Sequence, residues 1–143
     1  MVNVHVERTI NALPDNVFDW LADPANLTTA PLLFRARYLD EFPGPGVGAV
    51  RAAVGAGIWV HEKITAYNRP NSYSYLIVRS LPAFGHDGGM MRFQPTGTGT
   101  HVSWDTAYHH PTRWGGRITD AITAPLLRWN FQAVLDACAK QLE

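Results

Sequence analysis

The sequence predicts an α+β domain in which an antiparallel sheet packs against a long C-terminal helix. Polar and apolar residues alternate over residues 2–10 and again along successive segments of 34–109, which are separated by short turns. This pattern is typical of antiparallel strands. Over residues 118–142 the apolar residues instead recur at helical spacing. With 143 residues, 46% of them hydrophobic, the chain can build one core and is too short for two.

The first part of the chain predicts a strand followed by two short helices. Residues 2–10 have the period of a half-buried strand. A helix is expected to begin near Pro14, because proline suits the first helical turn. It should end at Asp23, because a residue that precedes proline avoids helical geometry. Residues 25–30 are expected to form the second helix.

The middle of the chain predicts a meander of strands with short connections. The expected strands cover 34–42, 47–54, 58–67, 72–79, 89–94 and 101–109. Pro43-Gly44-Pro45-Gly46 is a strong turn signal, and Gly55-Ala56-Gly57 is typical of a tight hairpin. Residues 81–88 are expected to form a loop.

The last segment predicts the long helix. Its apolar face comprises Leu127, Phe131, Val134, Leu135, Cys138 and Leu142. Ile118 and Ile122 extend this helix towards its N-terminal end. Pro125 lies inside it and should kink it or divide it into two segments.

Composition excludes several classes of protein. Twelve basic and twelve acidic residues cancel, and no Lys/Arg-rich tract occurs, so attraction to nucleic acid or to an anionic membrane is not expected. The single cysteine, Cys138, rules out an internal disulfide and fits a reducing compartment. The N-terminus lacks a signal-peptide core, and no apolar run is long enough to span a bilayer. A cytoplasmic protein without integral membrane association, either a monomer or a homodimer, is expected.

Several short motifs follow one another in a characteristic order. They are Leu13-Pro14-x-x-Val17-Phe18, Pro43-Gly44-Pro45-Gly46-Val47-Gly48, Arg51, Glu62-Lys63-Ile64, and Gly97-Thr98-Gly99-Thr100 leading to Val102-x-Trp104. In this order they resemble the START-like superfamily, also called the SRPBCC or polyketide cyclase/dehydrase family. The resemblance runs over essentially the whole chain and implies a single domain, 1–143, with the helix-grip fold. That fold is a curved seven-stranded antiparallel sheet wrapped around a C-terminal helix, with a cavity for apolar or aromatic ligands.

Two charged residues are candidates for the polar part of such a cavity. The hairpin places Arg51 opposite His61 or Glu62, depending on the register of the turn. Glu62 shares the more apolar face of its strand, so we expect it to point inward. An inward carboxylate costs several kcal/mol, roughly, unless it is paired, and Arg51 is its natural partner. The pair would anchor a ligand hydroxyl or carbonyl; alternatively it is a structural ion pair at the sheet edge, or both residues face solvent.

The other candidate ligand-binding residues are aromatic or apolar. If Tyr73 and Tyr75 point inward, their hydroxyls could donate hydrogen bonds to a carbonyl; if they point outward, they only cover the sheet. The expected cavity wall consists of Met91, Phe93, Val102, Trp104, Thr106 and Tyr108. For Trp104, packing in the core is the alternative to ligand contact. Trp129 lies off the helix stripe and is expected at the cavity mouth.

No metal or other cofactor is expected. His109 and His110 are adjacent on a strand and should face opposite sides, and the other four histidines have no ligand spacing. No arrangement for a covalent nucleophile occurs, and Cys138 is expected to be a buried hydrophobe.

Three functions remain open from the sequence. The leading one is binding, or transport, of an apolar or aromatic small molecule such as a lipid or polyketide-like compound. A polyketide cyclase/dehydratase-type enzyme would instead use Arg51, Glu62 and a tyrosine to handle protons. The third is an interaction domain whose interior is filled by its own side chains.

Overall fold

The computed structural model describes residues 2–39 and 44–143. The strands are β1 (Val2–Ile10), β2 (Leu33–Tyr38), β3 (Val50–Gly55), β4 (Ile58–Asn68), β5 (Ser72–Leu81), β6 (Gly85–Pro95) and β7 (Thr100–His109). The α-helices are α1 (Pro14–Ala22) and α2 (Gly116–Leu142), and short 3-10 helices cover Pro24–Thr29 and Thr112–Trp114.

The strands form one seven-stranded sheet in the order β1-β7-β6-β5-β4-β3-β2, and every neighbouring pair is antiparallel. The predicted α+β helix-grip architecture is therefore confirmed. Helix α2 lies mainly against β1 at one edge of the curled sheet. The predicted face of its C-terminal half is correct, because Phe131, Val134, Leu135 and Cys138 are buried. Burial also raises the pKa of the Cys138 thiol to about 12.

Helix α1 is attached to the sheet by its buried face and its last carbonyl groups. Phe18 is completely buried. The Tyr73 hydroxyl donates to the Leu21 carbonyl at 3.0 Å, and the Tyr38 hydroxyl donates to the Ala22 carbonyl at 2.9 Å. These carbonyls lie in the last turn of α1, where no intrahelical N–H is available to them. Two inward-facing tyrosines of the sheet therefore hold the end of α1.

The largest differences between predicted and observed boundaries are at β2, at β3 and between β5 and β6. Strand β2 ends at Tyr38, and the rest of the predicted 34–42 strand lies partly outside the described residues, as does Pro43 of the predicted turn. Strand β3 begins at Val50, because residues 44–48 form bends and turns. The loop predicted over 81–88 was wrong in extent, because only residues 82–84 separate β5 from β6.

Glycine explains the error at the start of β6. Gly85 pairs with His109, and Gly89 pairs with Thr106 and Tyr75. A methyl group at Gly89 would overlap the ring of Tyr75. The glycines that resemble a loop in the sequence are therefore strand positions where a neighbouring ring leaves no room for a side chain.

Helix α2 is not divided at Pro125, contrary to one form of the prediction. Proline has no N–H to donate to the carbonyl of Ala121. Both Pro125 and Ala121 are exposed, so water can hydrate that carbonyl. Ile118 and Ile122 do belong to the helix, but their side chains are 72% and 60% exposed and do not extend its buried face.

His86 joins β5 to β6 where their backbone pairing stops. The described ladder ends at the Tyr75–Gly89 pair, and beyond it the Ile77 N–H donates to His86 Nδ1 at 3.0 Å. Because Nδ1 accepts, Nε2 carries the proton and donates to Thr106 Oγ1 at 2.8 Å. Burial lowers the pKa of His86 to about 4, so the ring is neutral at physiological pH.

We expect His86 to make stability depend on pH. Between its unfolded pKa of about 6.5 and its folded pKa of about 4, the unfolded chain binds a proton that the folded chain does not. The free energy of unfolding should therefore fall by about 1–2 kcal/mol as the pH drops from 7 to 4, after a discount for the partly exposed ring. His86→Gln keeps an acceptor and a donor but does not titrate. Urea unfolding at several pH values should show wild type losing stability relative to this variant, and parallel profiles would contradict the assignment.

Candidate functional site

The centre of the candidate site is an ion pair between β3 and β4. The hairpin register places Arg51 opposite Glu62 and Ala52 opposite His61, which decides between the two registers that the sequence allows. Arg51 Nη2 lies 3.1 Å from Glu62 Oε1. The Arg51 side chain is 2% exposed and that of Glu62 is 15% exposed. The pair therefore lies inside the domain and touches solvent only on its carboxylate side.

Aromatic rings surround the guanidinium. Arg51 Cζ lies 5.6 Å from the ring centre of Tyr73 and 5.3 Å from that of Tyr75, within the range of cation–π attraction. Burial lowers the pKa of Arg51, but the Coulombic attraction of Glu62 and the hydroxyls nearby outweigh it and the net pKa is raised. Arg51 is therefore charged in the interior.

Arg51 keeps two unused hydrogen-bond donors. Its Nε and Nη1 are buried and have no acceptor among the described residues. A buried donor without a partner costs about 1–3 kcal/mol, and more when the group is charged. Buried donors without a partner are rare in native proteins. A ligand atom that accepts hydrogen bonds from these Arg51 nitrogens would explain them.

The tyrosine hydroxyls differ in whether their proton is already used in a hydrogen bond within the protein. Tyr73 uses its proton on the Leu21 carbonyl, and Tyr108 shares a hydrogen bond of 2.9 Å with Thr123. The Tyr75 hydroxyl accepts from Trp104 Nε1 at 2.9 Å. In the part of the chain that the structure describes, Tyr75 donates its own proton to no group. Burial raises the pKa of Tyr75, so this proton is retained.

The predicted apolar wall is buried and makes contacts within the core. Met91, Phe93, Trp104 and Tyr108 are each at most 4% exposed. The Trp104 ring stacks on Phe131 of α2, with centres 3.7 Å apart and planes 8° apart. Trp104 therefore packs in the core, which was one of the two alternatives that the sequence left open. Contact of this ring with a ligand remains a prediction.

Trp129 lies away from this cluster. Its side chain is 55% exposed. It borders a surface pocket of about 560 Å³ between α2 and β1, together with His5, Glu7 and Arg128. Another pocket of about 450 Å³ lies elsewhere on the sheet, and its lining also omits Arg51 and Glu62. The structure therefore brings Arg51, Glu62, Tyr73, Tyr75 and Trp104 together and leaves Trp129 on the outside of the helix.

Two neighbours of the site were not among the predicted residues. Tyr38 pairs with Arg51 across β2 and β3, and burial raises its pKa to about 12. His86 stacks against Tyr75 with ring centres 5.7 Å apart. Tyr38 could have been found by continuing the inward alternation of β2, whereas His86 lay in a glycine-rich stretch that was predicted to be a loop.

Neither metal clusters nor membrane-spanning helices occur among the described residues. Within 2–39 and 44–143, no three His, Cys, Asp or Glu side chains are grouped so that they could hold a metal ion. Over the same residues, no helix is both long and apolar enough to cross a bilayer.

Comparison with known proteins gives the fold and the family. Among solved structures, TTHA0849 from Thermus thermophilus has a TM-score of 0.76 at 18% identity, covering 99% of this chain and 97% of that one. CV1439 from Chromobacterium violaceum has a TM-score of 0.73 at 17% identity, covering 99% and 96%. The major latex-like protein 151 from Panax ginseng has a TM-score of 0.69 at 12% identity, covering 99% and 97%. At these identities the likeness concerns the fold alone.

None of the curated proteins matches the chain in sequence. A family model does match it, over residues 1–143, and that family is described as polyketide cyclase/dehydrase and lipid transport. The chain therefore belongs to the polyketide cyclase/dehydrase and lipid transport family.

Proposed function

We propose that this protein binds, and in that way can transport, an apolar or aromatic small molecule, such as a lipid or polyketide-like compound. The observation that carries the proposal is the buried Arg51 guanidinium with two unused donors. It lies within cation–π distance of two tyrosines in an interior that is mostly apolar. An apolar surrounding with a few placed polar groups is the usual composition of a small-molecule site. The family description, which includes lipid transport, agrees with such a role.

The position of the pair in the fold also supports ligand entry on this side. Helix α2 packs mainly against β1, at one edge of the sheet. Arg51 and Glu62 lie on β3 and β4, near the opposite edge. The partly exposed Glu62 marks the side from which a ligand would approach.

Charge balance limits the polar group of the ligand. Arg51 and Glu62 together carry no net charge, so a ligand carboxylate would leave one uncompensated negative charge in the interior. A neutral hydroxyl or carbonyl can accept from Arg51 Nε or Nη1 without that penalty. We therefore propose that the ligand presents a neutral oxygen to this pair.

Native mass spectrometry tests the binding proposal. Freshly purified protein should carry a co-purifying apolar molecule. The double variant Arg51→Met/Glu62→Gln removes the donors without leaving an unpaired charge, and its occupancy should fall at least about tenfold. Arg92→Met, on the exposed side of β6, is the matched control and should retain the molecule. A wild-type protein that carries nothing, or equal occupancy in the double variant, would contradict the proposal.

The charge of the ligand can be tested with 2-naphthol and 2-naphthoate, which share one ring system. At neutral pH only the second is charged, so wild type should bind 2-naphthol at least about tenfold more tightly. Glu62→Gln leaves the guanidinium uncompensated and should reverse the preference. Tryptophan fluorescence titration measures both. Equal affinity of wild type for the two probes would refute the neutral-oxygen proposal while leaving binding itself intact.

An enzymatic role of the cyclase/dehydratase type is the second candidate, and Tyr75 is the observation that favours it. Its proton is free and is retained because burial raises its pKa. In an aldol cyclisation Glu62 would take a proton from a methylene carbon of the substrate, this carbon would attack a ketone carbon and close the ring, and the new alkoxide would take the Tyr75 proton. Arg51 would stabilise the developing negative charge. The new hydroxyl would then leave as water with the second proton of the same methylene, and the proton held by Glu62 would return to the Tyr75 oxygen.

This second role predicts turnover of a linear poly-β-ketone thioester. Wild type should convert it to a cyclic product that is lighter by one water, as seen by mass spectrometry. Tyr75→Phe should still bind it but convert it about a hundredfold more slowly. Tyr67→Phe, a half-buried tyrosine further along β4, should convert it at the wild-type rate. Binding of the thioester by wild type without conversion would leave binding as the function.

A further inference from the structure

Helix α2 has an exposed apolar stripe on its outer side. The stripe, with the 3-10 helix before it, comprises Trp114, Ile118, Ile122, Leu126 and Trp129, and each of these is 49–72% exposed. At about 100° per residue, the α2 members lie within an arc of about 80°. From Ile118 to Trp129 the stripe is about 16 Å long. We call these five residues the α2 stripe.

The polarity of this part of the helix is inverted in part: Ala124 and Leu127 pack against the core, but polar side chains share the buried side with them. On its buried side, the Asp120 carboxylate accepts a hydrogen bond of 2.8 Å from the His110 backbone N–H. The Asn130 side chain accepts one of 2.9 Å from the Leu32 backbone N–H. The Thr123 hydroxyl is hydrogen-bonded to the Tyr108 hydroxyl. In an amphipathic helix that is stabilised only by packing on the core, apolar residues face inward and polar residues face solvent. Here the polar residues are inside and the isoleucines are outside, so the outer face is the one that calls for a partner.

The exposed charges along the α2 stripe itself are basic. Arg113, Arg117 and Arg128 are exposed beside it. Between residues 112 and 135 the only acidic residue is Asp120, which is buried and lies 2.7 Å from the His110 ring. Glu7 lies across the pocket beside Trp129. Its Oε2 is 2.8 Å from Nε2 of His5. The zero net charge of the chain therefore hides a local basic surface.

We propose that the α2 stripe docks onto an anionic lipid surface. The helix would lie in the plane of the interface, with the stripe among the acyl chains and the arginines at the level of the lipid phosphates. The two tryptophans at its ends suit the boundary between polar and apolar layers. A second copy fits less well, because a two-fold axis through the stripe would bring the same arginines together, and the exposed acids at its C-terminal end, Glu7 and Asp136, are already paired with His5 and Arg8. This proposal differs from the expectation, drawn from net charge, that the protein has no attraction to an anionic membrane.

Vesicle flotation tests the docking. Wild type should float with vesicles of phosphatidylcholine mixed with phosphatidylserine, and bind at least about tenfold less to phosphatidylcholine alone or at high salt. Two triple variants, Ile118→Gln/Ile122→Gln/Trp129→Gln and Arg113→Gln/Arg117→Gln/Arg128→Gln, should each lose at least about tenfold in binding. The matched control replaces three exposed apolar residues on the strands, Phe34→Gln/Val54→Gln/Val78→Gln, and should float like wild type.

Two results would overturn the proposal. One is undiminished flotation of the isoleucine and tryptophan variant. The other is a wild-type dimer in light scattering that this variant dissociates, which would make a second copy the occupant of the stripe. Thermal unfolding verifies that each variant is folded. Because the vesicles contain no other ligand, the result is independent of the function proposed for Arg51, and 2-naphthol titration of the same variants should be unchanged.

Discussion

The interior of this protein is organised around one buried cation. Arg51 is charged and almost fully enclosed, and removing only its partner Glu62 would leave a charge whose burial costs about 3–5 kcal/mol. Tyr73 and Tyr75 lie within cation–π distance of the guanidinium, and their hydroxyl groups also make contacts with other elements. Tyr73 uses its hydroxyl to hold the end of α1, and Tyr75 uses its oxygen to orient Trp104. The same residues therefore stabilise the charge and connect the sheet to both helices, because Trp104 stacks on Phe131 of α2.

Alternation along the strands predicted most of the candidate site. It placed Glu62 on the inward face and made Arg51 its natural partner, and the two-residue turn at Ala56-Gly57 then fixed the register that the sequence had left open. Register depends on turn length as well as on the hydrophobic pattern, and pairing Arg51 with His61 would have required a three-residue turn. Alternation also could not tell whether Tyr75 faces inward, since tyrosine is stable on either side of a sheet.

Two of the wrong predictions share one physical cause, which is that contacts distant in sequence override local preference. Gly85 and Gly89 favour a loop locally, yet β7 and the Tyr75 ring make them strand positions. Pro125 favours a break, yet the packing of α2 on both sides of it maintains one helix. Such errors concern the boundaries of elements rather than their order, because the order follows from hydrophobic periodicity and the boundaries depend on neighbours.

Helix α2 shows why an amphipathic pattern must be assessed turn by turn. Its C-terminal half buries apolar residues such as Val134 and Leu135, as periodicity predicts. In its N-terminal half, hydrogen bonds from surrounding backbone N–H groups to Asp120 and Asn130 replace apolar packing, so the isoleucines there are not needed in the core. A polar interior that is fully hydrogen-bonded contributes less to stability than apolar packing of the same shape. The fold alone therefore does not explain why this half of the helix turns its apolar side to solvent, whereas a lipid surface that accepts both that side and its arginines does.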